Sequence, residues 1–319
     1  MEIPGSRIFC THFSLWLEVN MKKKRFFELY GGYIFVAPWL LGFILLTLIP
    51  FICLLYFSFT DYNMFTSPVF AGLKNYIEIV TQDEKFIISL TVTFIYALIS
   101  VPLKLIAALL VAVLLKQKRR GIGIYRTLFY IPSIIGGSVA VSVMWRNLFS
   151  RDGAVNALIE ALTGINADIS WVADPNTALG SLILMSIWQF GSPMLIFLAG
   201  LKNISTSYYE AAKVDGANSI QCFFKITLPL LSPIIFFNLV MQMINGFMTF
   251  TQGLVVTNGG PMNRTLFYQL YVYQQGFEDF NMGYASALSC IMFVIVLILT
   301  LFVFKSSDAW VYYESGGKK

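Results

Sequence analysis

Apolar residues in this chain fall in long uninterrupted runs separated by short polar stretches, without the alternating or one-faced patterns of a soluble core. A helix rising 1.5 Å per residue needs about 20 apolar residues to cross a hydrocarbon layer of roughly 30 Å. Six stretches reach that length, approximately 33–58, 86–115, 125–145, 179–201, 228–250 and 283–304. The second is interrupted by Pro102 and Lys104 near its middle. The pattern predicts an all-α polytopic membrane protein with six transmembrane helices. A tail over 1–32 precedes the membrane domain at 33–305, and a tail over 306–319 follows it. The run Met21, Lys22, Lys23, Lys24, Arg25 looks like the ordinary start of a membrane protein, which leaves residues 1–20 upstream of it. The apolar run behind it is too long for a secretory signal and lacks a small-residue cleavage site, so it reads as an uncleaved first span.

Composition agrees with a lipid solvent. The 319 residues are 57% hydrophobic and 12% charged, with a mean hydropathy of +0.71 and 29 Phe; soluble domains carry about one-quarter charged residues. The four cysteines, Cys10, Cys53, Cys222 and Cys290, are scattered without metal-ligand or CxxC spacing, and the single histidine, His12, lies in the N-terminal tail. No metal site is expected.

Charge distribution sets the expected orientation, because basic loops resist translocation. With the N-terminus inside, sixteen of the 22 Lys and Arg fall on inner segments and five on outer ones, Lys74, Lys85, Arg146, Arg151 and Arg264. Both termini are therefore expected in the cytoplasm. The outer loops hold acidic residues such as Asp83, Glu84, Asp168, Glu278 and Asp279, so the net charge of +5 reflects topology and not nucleic-acid binding. In the third loop Val155, Leu158, Ile159, Leu162 and Ile165 have helical spacing, which predicts a short surface helix. Thr257 to Pro261 reads as an outer turn.

The loop at 202–229 reads YYEAAKVDGANSIQCFFKITLP over much of its length. Ser207 stands three residues before Glu210, which predicts a capping box opening a short helix. Gly216 is placed to end it in a left-handed cap. A second short helix is expected over about 217–226, displaying Ile220, Phe223 and Phe224, before Pro229 opens the fifth span. The product is a rigid helical elbow.

Glu210, Ala211, Ala212, Gly216, Ile226, Leu228 and Pro229, at these spacings, match the EAA signature of importer permeases. Seven specified positions coincide by chance about once in 10⁸ starts. The resemblance extends over nearly all of 33–304, through APWLLGF, LYFSFTDYN, FAGLKNYIEI, IPSIIGGSVAVSVMWRNLFSRDGAVNALI, IWQFGSPMLIFLAGLKNISTSYYEAAKVDGA and TNGGPMNRTLFYQLYVYQQGFEDFNMGYASAL. It narrows to the carbohydrate-uptake permeases of the maltose-importer type, and within them the chain is most similar to alginate-oligosaccharide permeases. This implies the type I ABC importer permease fold with a cytoplasmic coupling-helix loop. It implies a heterodimer with a second permease, two cytosolic subunits that bind ATP and Mg, and an extracytoplasmic solute-binding protein in the bacterial inner membrane. The solute implied is a sugar or oligosaccharide, acidic ones such as alginate oligosaccharide included. By match to the motif, coupling to the ATPase falls to Glu210, Ala211, Ala212, Asp215 and Gly216, with the elbow held in a cleft of the ATPase as a lever.

A polar stripe marks the fifth span. Asn238, Gln242, Asn245, Thr249 and Gln252 recur at steps of four and three, which puts them on one helix face with Gly246 beside them. The fourth span offers Trp188, Gln189 and Ser192. Amides, hydroxyls and an aromatic surface suit sugar hydroxyls and a pyranose ring. The same groups also serve as interhelical hydrogen-bond glue worth roughly 1 kcal/mol each. Both readings stand at this point; the resemblance favours solute, since in that family the contacts come from the two spans flanking the EAA loop.

Lys104 is the one charge well inside a span, at a cost of about 2.5–3.5 kcal/mol on a gentle scale. A cation there suits an anionic solute, although snorkelling or pairing within the bundle is the commoner fate. Gly136, Gly137 and Ser138 in the third span are expected to permit close helix packing.

The chain contains no GxxxxGK[ST] loop, so ATP hydrolysis is expected in other subunits. HExxH and GxSxG are absent too, which argues against an intramembrane enzyme with catalytic residues of its own. A self-contained secondary transporter for a small polar solute is the main alternative, opposed by the lack of membrane acids and by the elbow.

Overall fold

The computed structural model describes residues 32–33, 35–117, 120–164 and 168–312. The basic run at 21–25, Cys10, His12, Ile165 and the end of the C-terminal tail lie outside the described residues. The chain divides into two units, Met1–Phe57 and Ser58–Lys319. The first holds most of helix α1 (Phe35–Ser58), apolar on all sides and long enough to cross a membrane.

The second unit opens with a small antiparallel pair, β1 (Thr60–Asp61) and β2 (Val69–Phe70), and then α2 (Lys74–Thr81). Helix α3 (Glu84–Leu115) follows, capped by Asp83, whose carboxylate accepts from the Phe86 N–H. It runs unbroken for 32 residues through Pro102 and past Lys104, so the dip in hydropathy there does not mark a break. Next come α4 (Ile122–Ile135), α5 (Val139–Leu148) and the short α6 (Ala154–Thr163). Helix α6 is the surface helix expected in the third loop, closed by Gly164 in the left-handed region and leaving Leu158 and Leu162 exposed. The remainder comprises α7 (Ala178–Trp188), α8 (Gly191–Asn203), α9 (Thr206–Val214), α10 (Ser219–Phe247), α11 (Tyr268–Tyr273) and α12 (Met282–Trp310).

Helices α1, α3, α10 and α12 are each long and apolar enough to span a membrane. The third and fourth expected spans are not straight. Helices α4 and α5 meet at 99° and α7 and α8 at 41°, so six crossings result only if each bent pair counts as one. The third span breaks at the Gly136–Gly137–Ser138 segment, where Ser138 caps α5 with its hydroxyl. Close packing, the role expected of that segment, belongs to Gly136 alone: a Cβ there would lie 2.5 Å from the Gln189 side chain, whereas Gly137 has open space beside it.

Two further boundaries differ from expectation. The fifth span begins at Ser219, because the second limb of the elbow is continuous with it. The join is a π-turn, Phe223–Thr227, set two residues ahead of Pro229. In α1 a π-turn, Ile44–Leu48, stands in the same relation to Pro50. The extra residue in such a turn widens the helix where the proline ring would otherwise meet the carbonyl four residues back. At the other end of the chain, the last helix reaches Trp310, into the segment expected to be tail.

Helix α3 lies at the centre of the second unit and packs against α7, α8, α10 and α11. Apolar packing forms two clusters along it. One gathers Tyr96, Leu182, Met185, Phe267 and Tyr268; the other gathers Val101, Leu105, Ala108, Met194, Phe197 and Leu231. Thr93, almost fully buried, anchors α11 to α3 by accepting from the Tyr268 N–H at 2.9 Å.

Candidate functional site

A polar cavity of about 250 Å³ opens beside α3 at the level where the two apolar clusters meet. Tyr96, Ser100 and Lys104 reach it from α3, Ser133 from α4, and Ser186 from α7. Gln189 and Ser192 come from the α7–α8 junction. Gln242, Asn245, Gly246, Thr249 and Gln252 come from α10 and the residues after it. Six of the seven residues singled out for a solute pathway thus line one space.

Trp188 is not among the lining residues. Helix α7 ends at Trp188, and its ring packs against Trp145 with centroids 5.6 Å apart. Asn238, at the start of the stripe, is fully buried away from the cavity, and neither atom of its amide has a partner among the described residues. Gly246 has a double role, since it also lets α10 approach α3: a Cβ there would sit 3.3 Å from Ala97 and Val101.

The bend between α7 and α8 is what brings Gln189 and Ser192 into the cavity. A bend releases backbone groups that must find partners away from water. The Ser133 hydroxyl serves both sides of it, donating to the Gln189 carbonyl at 2.9 Å and accepting from the Ser192 N–H at 2.9 Å. Close approach is possible because Gly191 carries no side chain, as a Cβ would stand 2.5 Å from the Phe129 carbonyl oxygen. The Gln189 amide in turn donates to the Gly136 carbonyl at 3.2 Å, at the end of α4. Each of these two bends is thus tied to the other. On the opposite wall, the Tyr96 hydroxyl donates to Gln252 Oε1 at 3.2 Å.

The elbow lies between α8 and α10. Helix α9 is capped by Ser205, whose hydroxyl accepts from the Ser207 N–H, so the expected Ser207–Glu210 box does not form. A capping box does form one helix later, where Asn218 and Gln221 exchange hydrogen bonds of 2.8 Å. Between the two helices Gly216 takes φ +77. Its N–H donates to the Lys213 carbonyl and the Ala217 N–H to the Ala212 carbonyl, the two bonds of a Schellman ending. Glu210, Ala211, Asp215 and Gly216 are exposed and Ala212 is half-buried. Beside them Val214 is 89%, Ile220 69% and Phe224 61% exposed, an apolar surface without cover from the described residues.

Tyr209 holds the elbow to the bundle, and nothing in the sequence marked it. Its hydroxyl bonds Thr227 Oγ1 at 2.9 Å, and the Lys116 amine lies 4.6 Å above its ring. The end of α3, the elbow and the root of α10 therefore meet at one side chain.

A second polar cavity, of about 440 Å³, lies at the N-terminal end of α3, between β1, α2, α11 and α12. Asp83 organises it, accepting from the Tyr271 hydroxyl at 2.5 Å and the Tyr284 hydroxyl at 2.6 Å besides capping α3. Burial, and then the hydrogen bond to the Asp83 carboxylate, push the Tyr271 hydroxyl above its ordinary pKa.

Comparison with known proteins gives a consistent result. The family model of the binding-protein-dependent transport system inner membrane component matches residues 83–308. YesP of Bacillus subtilis (strain 168), a probable ABC transporter permease protein, is 56% identical over 287 residues, covering 89% of this chain and 93% of its own. AmyD of Thermoanaerobacterium thermosulfurigenes, a probable permease of a transport system for starch degradation products, is 35% identical over 282 residues, 88% of this chain and 95% of its own. In fold, the chain is similar to one from a bacterial ABC transporter that imports the acidic polysaccharide alginate, with a TM-score of 0.76 over 92% of this chain and 98% of that one, at 22% identity. With the bent spans, the polar cavity and the glycine-hinged elbow, these matches make the chain a member of the binding-protein-dependent transport system inner membrane components, the permease subunits of ABC transporters.

Proposed function

We propose that the chain forms, with a second permease, the translocation pathway for a sugar or oligosaccharide delivered by an extracytoplasmic binding protein. Two cytosolic subunits bind ATP and Mg and drive it; the chain itself holds no cofactor and catalyses nothing. Relatives whose names specify starch degradation products and lactose support the solute class.

The observation that carries this reading is mechanical. Helix α8 leads out of the cavity into the elbow and α10 leads back, and these two helices also present Ser192, Gln242 and Asn245 to the cavity, with Gln189 at the bend just before α8. Tyr209 clamps the elbow to α3, the third wall. A force on the exposed face of Glu210, Ala211, Ala212, Asp215 and Gly216 therefore acts on the helices that line the cavity. Helix α8, at 13 residues, is about 20 Å long, so a small tilt at the elbow shifts its far end by ångströms. The uncovered Val214, Ile220 and Phe224 suit a protein cleft better than water.

In this reading the elbow and both chain termini face the cytoplasm, and the cavity at Asp83 faces the binding protein. The polar cavity binds solute through amides and hydroxyls rather than serving only as interhelical glue, since its Gln242 and Asn245 side chains have no hydrogen-bond partner among the described residues. Family membership favours this driven importer over a self-contained secondary transporter. Purifying the complex from its native membrane tests it: ATP-binding subunits, a second permease and saccharide-stimulated ATP turnover should appear together. A chain that purifies alone and catalyses solute exchange without ATP would overturn it.

A further inference from the structure

Among the described residues, Lys104 is the only charged one lining the polar cavity. It is partly buried, two-thirds of the way along a 32-residue apolar helix, where the membrane leaves few alternatives to a partner of opposite charge. Among the described residues it has neither a salt bridge nor a hydrogen bond. The charges that do pair, Lys74 with Asp61 and Arg151 with Asp168, are both exposed. Among the described residues no carboxylate lines the cavity; the other polar groups there are amides and hydroxyls.

Such a lining is asymmetric in its chemistry. Amides and hydroxyls match the hydroxyls of any sugar, each able to donate and accept. An ammonium offers three donors and no acceptor, and it repays its desolvation only against an anion. One full positive charge among neutral hydrogen-bonding groups is complementary to a solute carrying a carboxylate among many hydroxyls.

We propose that Lys104 is the anion-recognition point of the pathway, and that the saccharide carried is an acidic one bearing carboxylates on its rings, a uronate-containing oligosaccharide. This rests on the reading of the cavity as the solute pathway. Snorkelling is disfavoured by position, since Lys104 lies well inside the 32-residue helix and lines the cavity. The remaining competitor is a carboxylate supplied by the second permease, which would make Lys104 a packing residue for every solute alike.

The test is direct binding to the purified transporter complex without its binding protein, so that the latter's selectivity does not enter. Two radiolabelled probes are compared by equilibrium dialysis, a uronate trisaccharide and the same trisaccharide with its carboxylates reduced to primary alcohols. The wild-type complex should bind the uronate on the order of 10- to 100-fold more tightly, the size expected for a charge-assisted contact. Lys104→Gln should remove that difference while retaining binding of the reduced probe, and Lys104→Arg should preserve most of it. Equal affinity of the wild type for both probes, binding of neither, or an equal loss of both in Lys104→Gln would overturn the proposal. Should Lys104→Gln fail to assemble, the Lys104→Arg complex and the wild-type ratio still decide. The broader reading fails separately: it falls if no saccharide, acidic or neutral, stimulates ATP turnover of the complete system, whereas a strong response to neutral sugars alone sinks only the role of Lys104.

Discussion

Replacing Ser133 by Ala removes one hydroxyl and strands two backbone groups. The Gln189 carbonyl and the Ser192 N–H, each 2.9 Å from Ser133 Oγ, are released by the bend between α7 and α8 and have no helical partner in its place. A buried polar backbone group left unsatisfied costs about 1–3 kcal/mol, which gives roughly 2–6 kcal/mol for the pair. Ser133 lines the polar cavity, so a water entering there takes over part of its role and brings the expected loss to about 2–3 kcal/mol. At about 2 °C per kcal/mol for a chain of this size, the thermal midpoint of the purified complex should fall by about 4–6 °C. The same bend aims Gln189 and Ser192 into the cavity, so saccharide-stimulated ATP turnover should fall as well. A shift under about 1 °C with normal turnover would refute the argument that this hydroxyl holds the bend.

Gly216→Leu puts a side chain at φ +77, which costs an L-residue about 1–2 kcal/mol; because the site is open and exposed, the chain should still insert, while saccharide-stimulated ATP hydrolysis is lost, as measured in proteoliposomes. Alanine at Gln242 and Asn245 together should impair uptake of labelled saccharide and leave co-purification of the ATP-binding subunits intact; unchanged transport kinetics would make the stripe structural. Asp83→Asn retains one acceptor for two hydroxyl donors and should cost about 1.5–3 kcal/mol, read as a lower thermal midpoint. Tyr271 is held protonated above its ordinary value of 10.0, so its part in this cluster is whole below about pH 10 and lost only as pH rises further. The Asp83→Asn deficit should therefore be the same at pH 6 and pH 9.

The lengths of the apolar runs announced the straight helices well, because the hydrocarbon thickness leaves a spanning helix little choice of length. The bends were hidden for a physical reason: Gly136, Gly137 and Ser138 satisfy a close crossing and a broken helix equally well, and only the position of Gln189 decides between them. Similarly, Ser205 and Ser207 are both competent caps, and their order follows from where α8 ends. In the cavity, the stripe on α10 was visible through its helical period. By contrast, Tyr96, Ser100, Ser133 and Ser186 are single polar residues in apolar runs on three other helices, and nothing short of their packing brings them together. Trp188 shows the converse, since spacing put it beside Gln189 while the end of α7 turned it toward Trp145. Tyr209 carried no signal, being a lone aromatic whose work is to join segments more than 90 residues apart.

The most direct test of the lever is a photo-crosslinking residue at Ala211, on the exposed face of the elbow, in the assembled transporter. An adduct with the ATP-binding subunit is expected, with a yield that differs between the ATP-bound and nucleotide-free states. Adducts with the extracytoplasmic binding protein instead, or no adduct with any subunit in either state, would contradict it.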